Sequence, residues 1–165
     1  MDTCAVRRWR GPVLMAALAC ALAAAPATRC HASDDMAIIV HPSTPVERLT
    51  FAEMRRIFLG ERQYWNSGMP VVLIVRAPVA RERQVVLNKI YGMTESQFKQ
   101  YWITRIFRDE TTSTPKVVYS NQTINELVGA IPGAISLVRA EDITPGVKVI
   151  PIDGALPGEG SYPLR

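Results

Sequence analysis

Cysteine and histidine are almost absent from this chain once its first 32 residues are set aside. All three cysteines lie in that segment, at Cys4, Cys20 and Cys30. His41 is the one histidine that follows it. A chain cleaved after Ala32 therefore contains no disulfide, no thiol nucleophile and no Cys-ligated metal site.

Catalytic and metal-binding motifs are missing as well. A zinc site or a catalytic dyad needs a second histidine or another suitable partner, and the chain has neither a His-x-x-x-His pair nor a Gly-x-Ser-x-Gly elbow. We therefore predict that the protein is not an enzyme and that it holds no metal and no cofactor.

Runs of basic residues are absent after residue 32, although the whole chain has a formal net charge of +4. The first 32 residues contain four arginines and a single acidic residue, so 15 basic and 14 acidic residues follow them. The calculated basic pI is thus largely a property of the first segment. No surface for nucleic acid is expected.

The first 32 residues have the order of a secretory signal peptide. Three arginines precede an uncharged stretch over residues 11–28, and small residues follow in its second half. This stretch is rich in alanine, contains Pro26, and is shorter than the roughly 20 strongly apolar residues of a membrane-spanning helix. We predict cleavage after Ala27 or Ala32, a periplasmic or secreted location, and no stable membrane insertion after cleavage.

Residues 33–153 alternate between short β-like runs and segments of helical spacing, which is typical of one α/β domain. Thr50 and Glu53 form a capping box at the start of one predicted helix. Most strands follow a helix or a long loop, so we expect a mixed, mostly parallel sheet flanked by helices. The Gly/Pro-rich residues 154–165 are expected to form a loose tail. The predicted strands are 36–41, 71–75, 117–119, 134–138 and 147–152.

Three segments carry a resemblance to a known family. They are residues 49–60, with Trp65 and Gly68 behind them, residues 71–76 and residues 128–138. The "IF-G…W…G" and "PGAI" features in this order resemble the phosphate-type periplasmic solute-binding proteins of ABC transporters. The similarity extends from about Ile38 to Ile152.

The resemblance implies a type II periplasmic-binding-protein fold, here reduced in size. In that family an anion is held by backbone amides at helix N-termini, by hydroxyls and by an arginine, all of which favour negative charge. Where the family pattern runs Arg-x-x-x-Ser-Gly-Thr, this chain has Arg76 followed later by Ala80, Arg81 and Glu82. This chain therefore shares the arginine of the family pattern but lacks the Ser-Gly-Thr segment that binds the anion. Glu82, which stands in that segment, would repel a dianion.

Six residues are candidates for ligand contact, and most have a structural alternative. Arg76 ends a buried strand, so it either meets a ligand or pairs with Glu82 or Glu53. Ser43 and Thr44 follow the first strand and offer hydroxyls or form a turn, and Ser120 and Asn121 offer donors or cap a helix. Arg81 adds charge and an amide.

These residues lead to two functional hypotheses. The first is a non-catalytic solute-binding domain that captures a small anionic or polar ligand, phosphate-like in the first instance, and works with an ABC permease. The second is a periplasmic interaction or regulatory module of the same fold that docks an envelope protein.

Overall fold

The computed structural model describes residues 35–111 and 113–164, so the predicted signal peptide lies outside the described residues. A five-stranded sheet has the order β3-β2-β4-β1-β5. β2 runs parallel to β3 and β4, whereas β1 is antiparallel to β4 and β5. The predicted α/β fold with a mixed sheet is confirmed. The strands are β1 (Met36–Val40), β2 (Val72–Arg76), β3 (Lys116–Val118), β4 (Ala134–Arg139) and β5 (Lys148–Val149).

Four helical elements cover this sheet. They are α1 (Phe51–Phe58), α2 (Arg81–Val85), which continues as a π-helical segment (Val86–Tyr91), α3 (Glu95–Phe107) and α4 (Asn121–Ala130). A single 3-10 turn (Ala140–Asp142) follows β4. Among the described residues, no helix has the length and apolar character needed to cross a membrane.

Capping boxes fix the starts of α1 and α3. At α1 the Glu53 amide donates to the Thr50 hydroxyl at 3.2 Å and the Thr50 amide donates to the Glu53 carboxylate at 2.9 Å, as predicted. The amide and hydroxyl of Thr50 hold the pKa of Glu53 below its usual range. Thr94 and Gln97 form the second box in the same way.

The core lies on both faces of the sheet. Side chains of β1 alternate between a larger cluster, which packs against α1, the π-helical segment and α3, and a smaller cluster, which packs against α4. All five residues of β1 are therefore buried. Strands covered on both faces read as continuous apolar runs, which explains why β1, β2 and β4 stand out in the sequence.

Two peripheral segments differ from expectation. The apolar spacing of residues 98–106 predicts one buried face of α3, but Ile106 is 48% exposed whereas Phe98 and Trp102 are buried. The tail from Gly154 packs on the domain: Tyr162 and Leu164 are buried, and the Met36 amide donates to the Leu164 carbonyl at 2.9 Å. Tyr162 and Leu164 are isolated apolar residues among glycines and prolines, so the sequence pattern does not indicate that they are buried.

The turn before β4 depends on glycine. Gly133 has a φ of 80°, and a Cβ built there would lie 2.2 Å from the carbonyl oxygen of Pro70. The Gly133 carbonyl also accepts a 3.0 Å hydrogen bond from the buried indole of Trp65. This turn therefore joins the loop before β2 to the start of β4.

We expect Gly133→Ala to lower the free energy of unfolding by about 3 kcal/mol or more, because backbone strain and a steric clash add. The control is Gly92→Ala, which shares a positive φ but has open space around the new Cβ. That variant should cost about 1 kcal/mol. Urea denaturation measures both values, and equal losses would show that the contact with Pro70 is unimportant.

Candidate functional site

The edge of the sheet at which β2, β3 and β4 end, here called the carboxyl edge, brings four of the six candidate residues together. Because these strands are parallel, their last residues meet at one side of the domain. Arg76 is the last residue of β2, and Ser120 and Asn121 follow β3. Arg81, the first residue of α2, begins the helix that follows β2 and is exposed.

Ser43 and Thr44 do not join them. β1 is antiparallel to β4, so the carboxyl end of β1 lies at the opposite edge, beside the start of β4. There the Ser43 hydroxyl lies 2.8 Å from Nδ1 of His41, and Thr44 is 1% exposed. The direction of the first strand therefore separates these hydroxyls from Arg76.

Arg76 lies against a buried carboxylate. Its Nε lies 3.6 Å from Oε2 of Glu82, and the two side chains are 16% and 5% exposed. Of the two alternatives open from the sequence, pairing with Glu82 is thus present. Within the described residues, however, Nε and Nη1 of Arg76 are buried and have no hydrogen-bond partner. The guanidinium therefore keeps unused donors beside its ion pair.

Asn121 joins Glu82 to a second carboxylate. Its Nδ2 donates to Oε1 of Glu82 at 2.6 Å and to Oδ2 of Asp142 at 2.7 Å. An amide nitrogen carries two hydrogens, so both are used. The Asn121 Oδ1 is buried, and no partner for it occurs among the described residues. The four side chains Arg76, Glu82, Asn121 and Asp142 form a cluster that we call the edge cluster.

Backbone elements hold the edge cluster in place. The Ser120 hydroxyl accepts from the Thr123 amide at 3.0 Å and so caps α4, which orients Asn121 at its first position. Asn125, which is 4% exposed, donates to the Asp142 carbonyl at 2.9 Å and accepts from the Thr144 amide at 3.3 Å. The loop that carries Asp142 is thereby fixed to α4.

The edge cluster borders an open depression on the side of Asn121 and Asp142, whereas Glu82 is buried behind them. The lining of this depression is rich in carboxylates and amides, namely Asn121, Gln122, Asn125, Glu126, Glu141, Asp142, Ile143 and Thr144. Within the cluster Arg76 pairs with Glu82, and Asn121 links Glu82 to Asp142. Arg81 and Arg139 add positive charges at the same edge, and Glu126 and Glu141 add negative charges along the depression. An incoming dianion therefore meets charges of both signs.

Sequence reasoning identified Glu82 as a repulsive neighbour for a dianion and as one of two alternative ion-pair partners of Arg76, and it did not single out Asp142. The signal for both was their position, since each follows a strand of the parallel part of the sheet by a few residues. Carboxylates placed in this way converge at one edge once the strand order is known. That order is set by pairing between distant strands, which a local pattern does not contain.

In the described part of the chain, a mixed five-stranded sheet is covered by helices on both faces. Three solved structures share this fold. An ABC-type phosphate transport receptor from Vibrio cholerae matches with a TM-score of 0.61 and 21% identity over 76% of this chain and 49% of that one. A putative phosphate ABC transporter substrate-binding protein from Clostridium perfringens, with bound phosphate, matches with a TM-score of 0.60 and 20% identity over 75% and 47%. PstS from Borrelia burgdorferi matches with a TM-score of 0.58 and 16% identity over 75% and 49%.

This chain spans about half the length of the solved structures that it matches. The resemblance seen in the sequence is confirmed at the level of the fold. No protein-family model and no curated protein matches the chain.

Asn121→Ala should lower the free energy of unfolding by about 2 kcal/mol at neutral pH, because it removes two hydrogen bonds from carboxylates and brings those carboxylates into direct repulsion. Gln122→Ala, at the next and exposed position of α4, should change it by no more than about 0.5 kcal/mol. Chemical denaturation compares the two, and an equally small loss for Asn121→Ala would show that the amide is not needed between the carboxylates.

Proposed function

We propose that this chain is an exported, non-catalytic solute-binding domain that captures a small anionic or polar ligand at the carboxyl edge of its sheet. The fold it shares with phosphate-binding transport proteins supports this proposal. So does the convergence of Arg76, Arg81, Ser120 and Asn121 at the edge where α/β sheets bind ligands. Delivery to an ABC permease would follow from the same role.

The observation on which the proposal depends is the unused hydrogen-bonding capacity of Arg76. Buried N–H groups are almost always paired, and an unpaired one costs about 1–3 kcal/mol. Nε and Nη1 of this guanidinium lack partners, although Glu82 lies 3.6 Å away. An oxygen-bearing ligand that accepts from these groups would recover that loss. The planar fork of arginine suits carboxylate or phosphate oxygens.

Arg76→Gln should therefore weaken ligand binding at least about tenfold, which corresponds to about 1.4 kcal/mol. Isothermal titration calorimetry with phosphate, sulfate, small carboxylates and amino acids measures the affinities. Arg55→Ala on the exposed face of α1 removes the same charge away from the carboxyl edge and should leave every affinity unchanged.

Two results would contradict the proposal: no heat from any ligand with the wild-type protein, or equal affinities for wild type and Arg76→Gln. Because Arg76→Gln leaves Glu82 without its cation, the double variant Arg76→Gln/Glu82→Gln serves as a second test. It removes both charges and should fold while still binding more weakly than the wild type.

A second candidate function, docking of an envelope protein at the same edge, is favoured by two exposed apolar side chains. Val79, in the loop between β2 and α2, is 92% exposed, and Tyr119, directly after β3, is 84% exposed. The Ala77 amide donates to the Val118 carbonyl at 2.8 Å, so these two loops are neighbours. Apolar side chains displayed beside a polar cluster are common in protein interfaces.

If an envelope protein docks there, the double variant Val79→Ser/Tyr119→Ser should lose its crosslink to that protein and keep its calorimetric affinity for small ligands. Phe107→Ser is the matched control, because Phe107 is 87% exposed but lies at the end of α3. A crosslink that depends on Phe107, or on none of the three residues, would rule out this surface.

A further inference from the structure

We infer that the ligand of the carboxyl edge is a free α-amino acid, which carries a carboxylate and an ammonium group, in preference to an inorganic anion. This inference rests on the proposed function, since it assigns a ligand class to the same site. It is argued from the charges, the unpaired atoms and the spacing of the edge cluster.

The charges of the edge cluster match a ligand that carries both signs. Arg76 contributes one positive charge, and Glu82 and Asp142 contribute two carboxylates. A phosphate or sulfate dianion would be attracted to Arg76, and more weakly to Arg81 and Arg139 at the same edge, but would be repelled by both carboxylates of the cluster. An ammonium group turns those repulsions into attractions, while the ligand's carboxylate still meets the guanidinium.

The atoms of the edge cluster that lack a hydrogen-bond partner include both donors and an acceptor. Nε and Nη1 of Arg76 are donors, and Oδ1 of Asn121 is an acceptor, all buried and without a partner among the described residues. An inorganic dianion offers acceptors only, so it would satisfy the arginine and leave the amide oxygen unpaired. An ammonium group has three hydrogens to donate to Asn121 and to the two carboxylates, each of which accepts more than one hydrogen bond.

The spacing indicates an α-amino acid. Donor and acceptor lie side by side in the edge cluster, with Nε of Arg76 3.6 Å from Oε2 of Glu82. In an α-amino acid the nitrogen and the carboxyl carbon are separated by one carbon through two bonds of about 1.5 Å each. The ligand's carboxylate would thus contact Arg76 while its ammonium contacts Glu82, and the two side chains would keep their present spacing.

The test is calorimetry on the purified wild-type protein with L-alanine, acetate, methylammonium and phosphate as the probes. We expect L-alanine to bind at least tenfold more tightly than acetate, methylammonium or phosphate. Acetate and methylammonium each carry one of the two charged groups, so the comparison isolates the benefit of carrying both.

Substitution of the carboxylates provides an independent readout. Glu82→Gln keeps the shape and the acceptor for Asn121 but removes the charge, and Asp142→Asn does the same at the second acid. Each should weaken L-alanine at least tenfold and strengthen phosphate severalfold. Glu126→Gln, at the exposed rim of the depression, should change either affinity less than twofold.

The outcomes separate the two proposals. If none of the four probes nor any other small solute binds, the proposed function fails. If phosphate or acetate binds as tightly as L-alanine in an Arg76-dependent manner, the solute-binding function stands and the amino-acid inference is overturned. If L-alanine binds but neither Glu82→Gln nor Asp142→Asn weakens it, the ammonium lies elsewhere and the inference is likewise overturned.

Discussion

Burial of the Glu82 carboxylate is the constraint that organises the carboxyl edge of this domain. A carboxylate that is 4% exposed loses its hydration, so the fold must supply hydrogen bonds and a counter-charge. Arg76 arrives from β2, Asn121 from α4, and Asp142 shares the same amide from the connection after β4. The end of β2, the start of α4 and the connection after β4 are thereby held in one arrangement at the carboxyl edge.

Features that depend on neighbouring residues were predictable from the sequence. The capping box of Thr50 and the apolar runs of the buried strands follow from local chemistry, and the structure confirms them. Features that depend on strand pairing were not predictable. One of the two alternatives for Ser43 placed it at the ligand edge because it follows a strand, yet the antiparallel direction of β1 places it at the opposite edge. Asp142 escaped notice because its role requires α4 to lie beside it.

Likeness of fold does not by itself establish a shared ligand. Backbone architecture is shared with phosphate transport receptors at about one-fifth identity. Where the resemblance implies a Ser-Gly-Thr segment after Arg76, this chain has Ala80, Arg81 and Glu82, and the Glu82 side chain is buried beside Arg76. Function resides in such sites and not in the fold, so an unchanged sheet can present a different selectivity.

The position of β1 in the middle of the sheet has a consequence for biosynthesis. Although β1 comes first among the strands, both of its partners, β4 and β5, lie in the last third of the chain. Pairings between residues so distant in sequence form late, and topologies that rely on them fold slowly. In a nascent chain β1 therefore stays unpaired until residues 134–149, which form β4 and β5, have been synthesised.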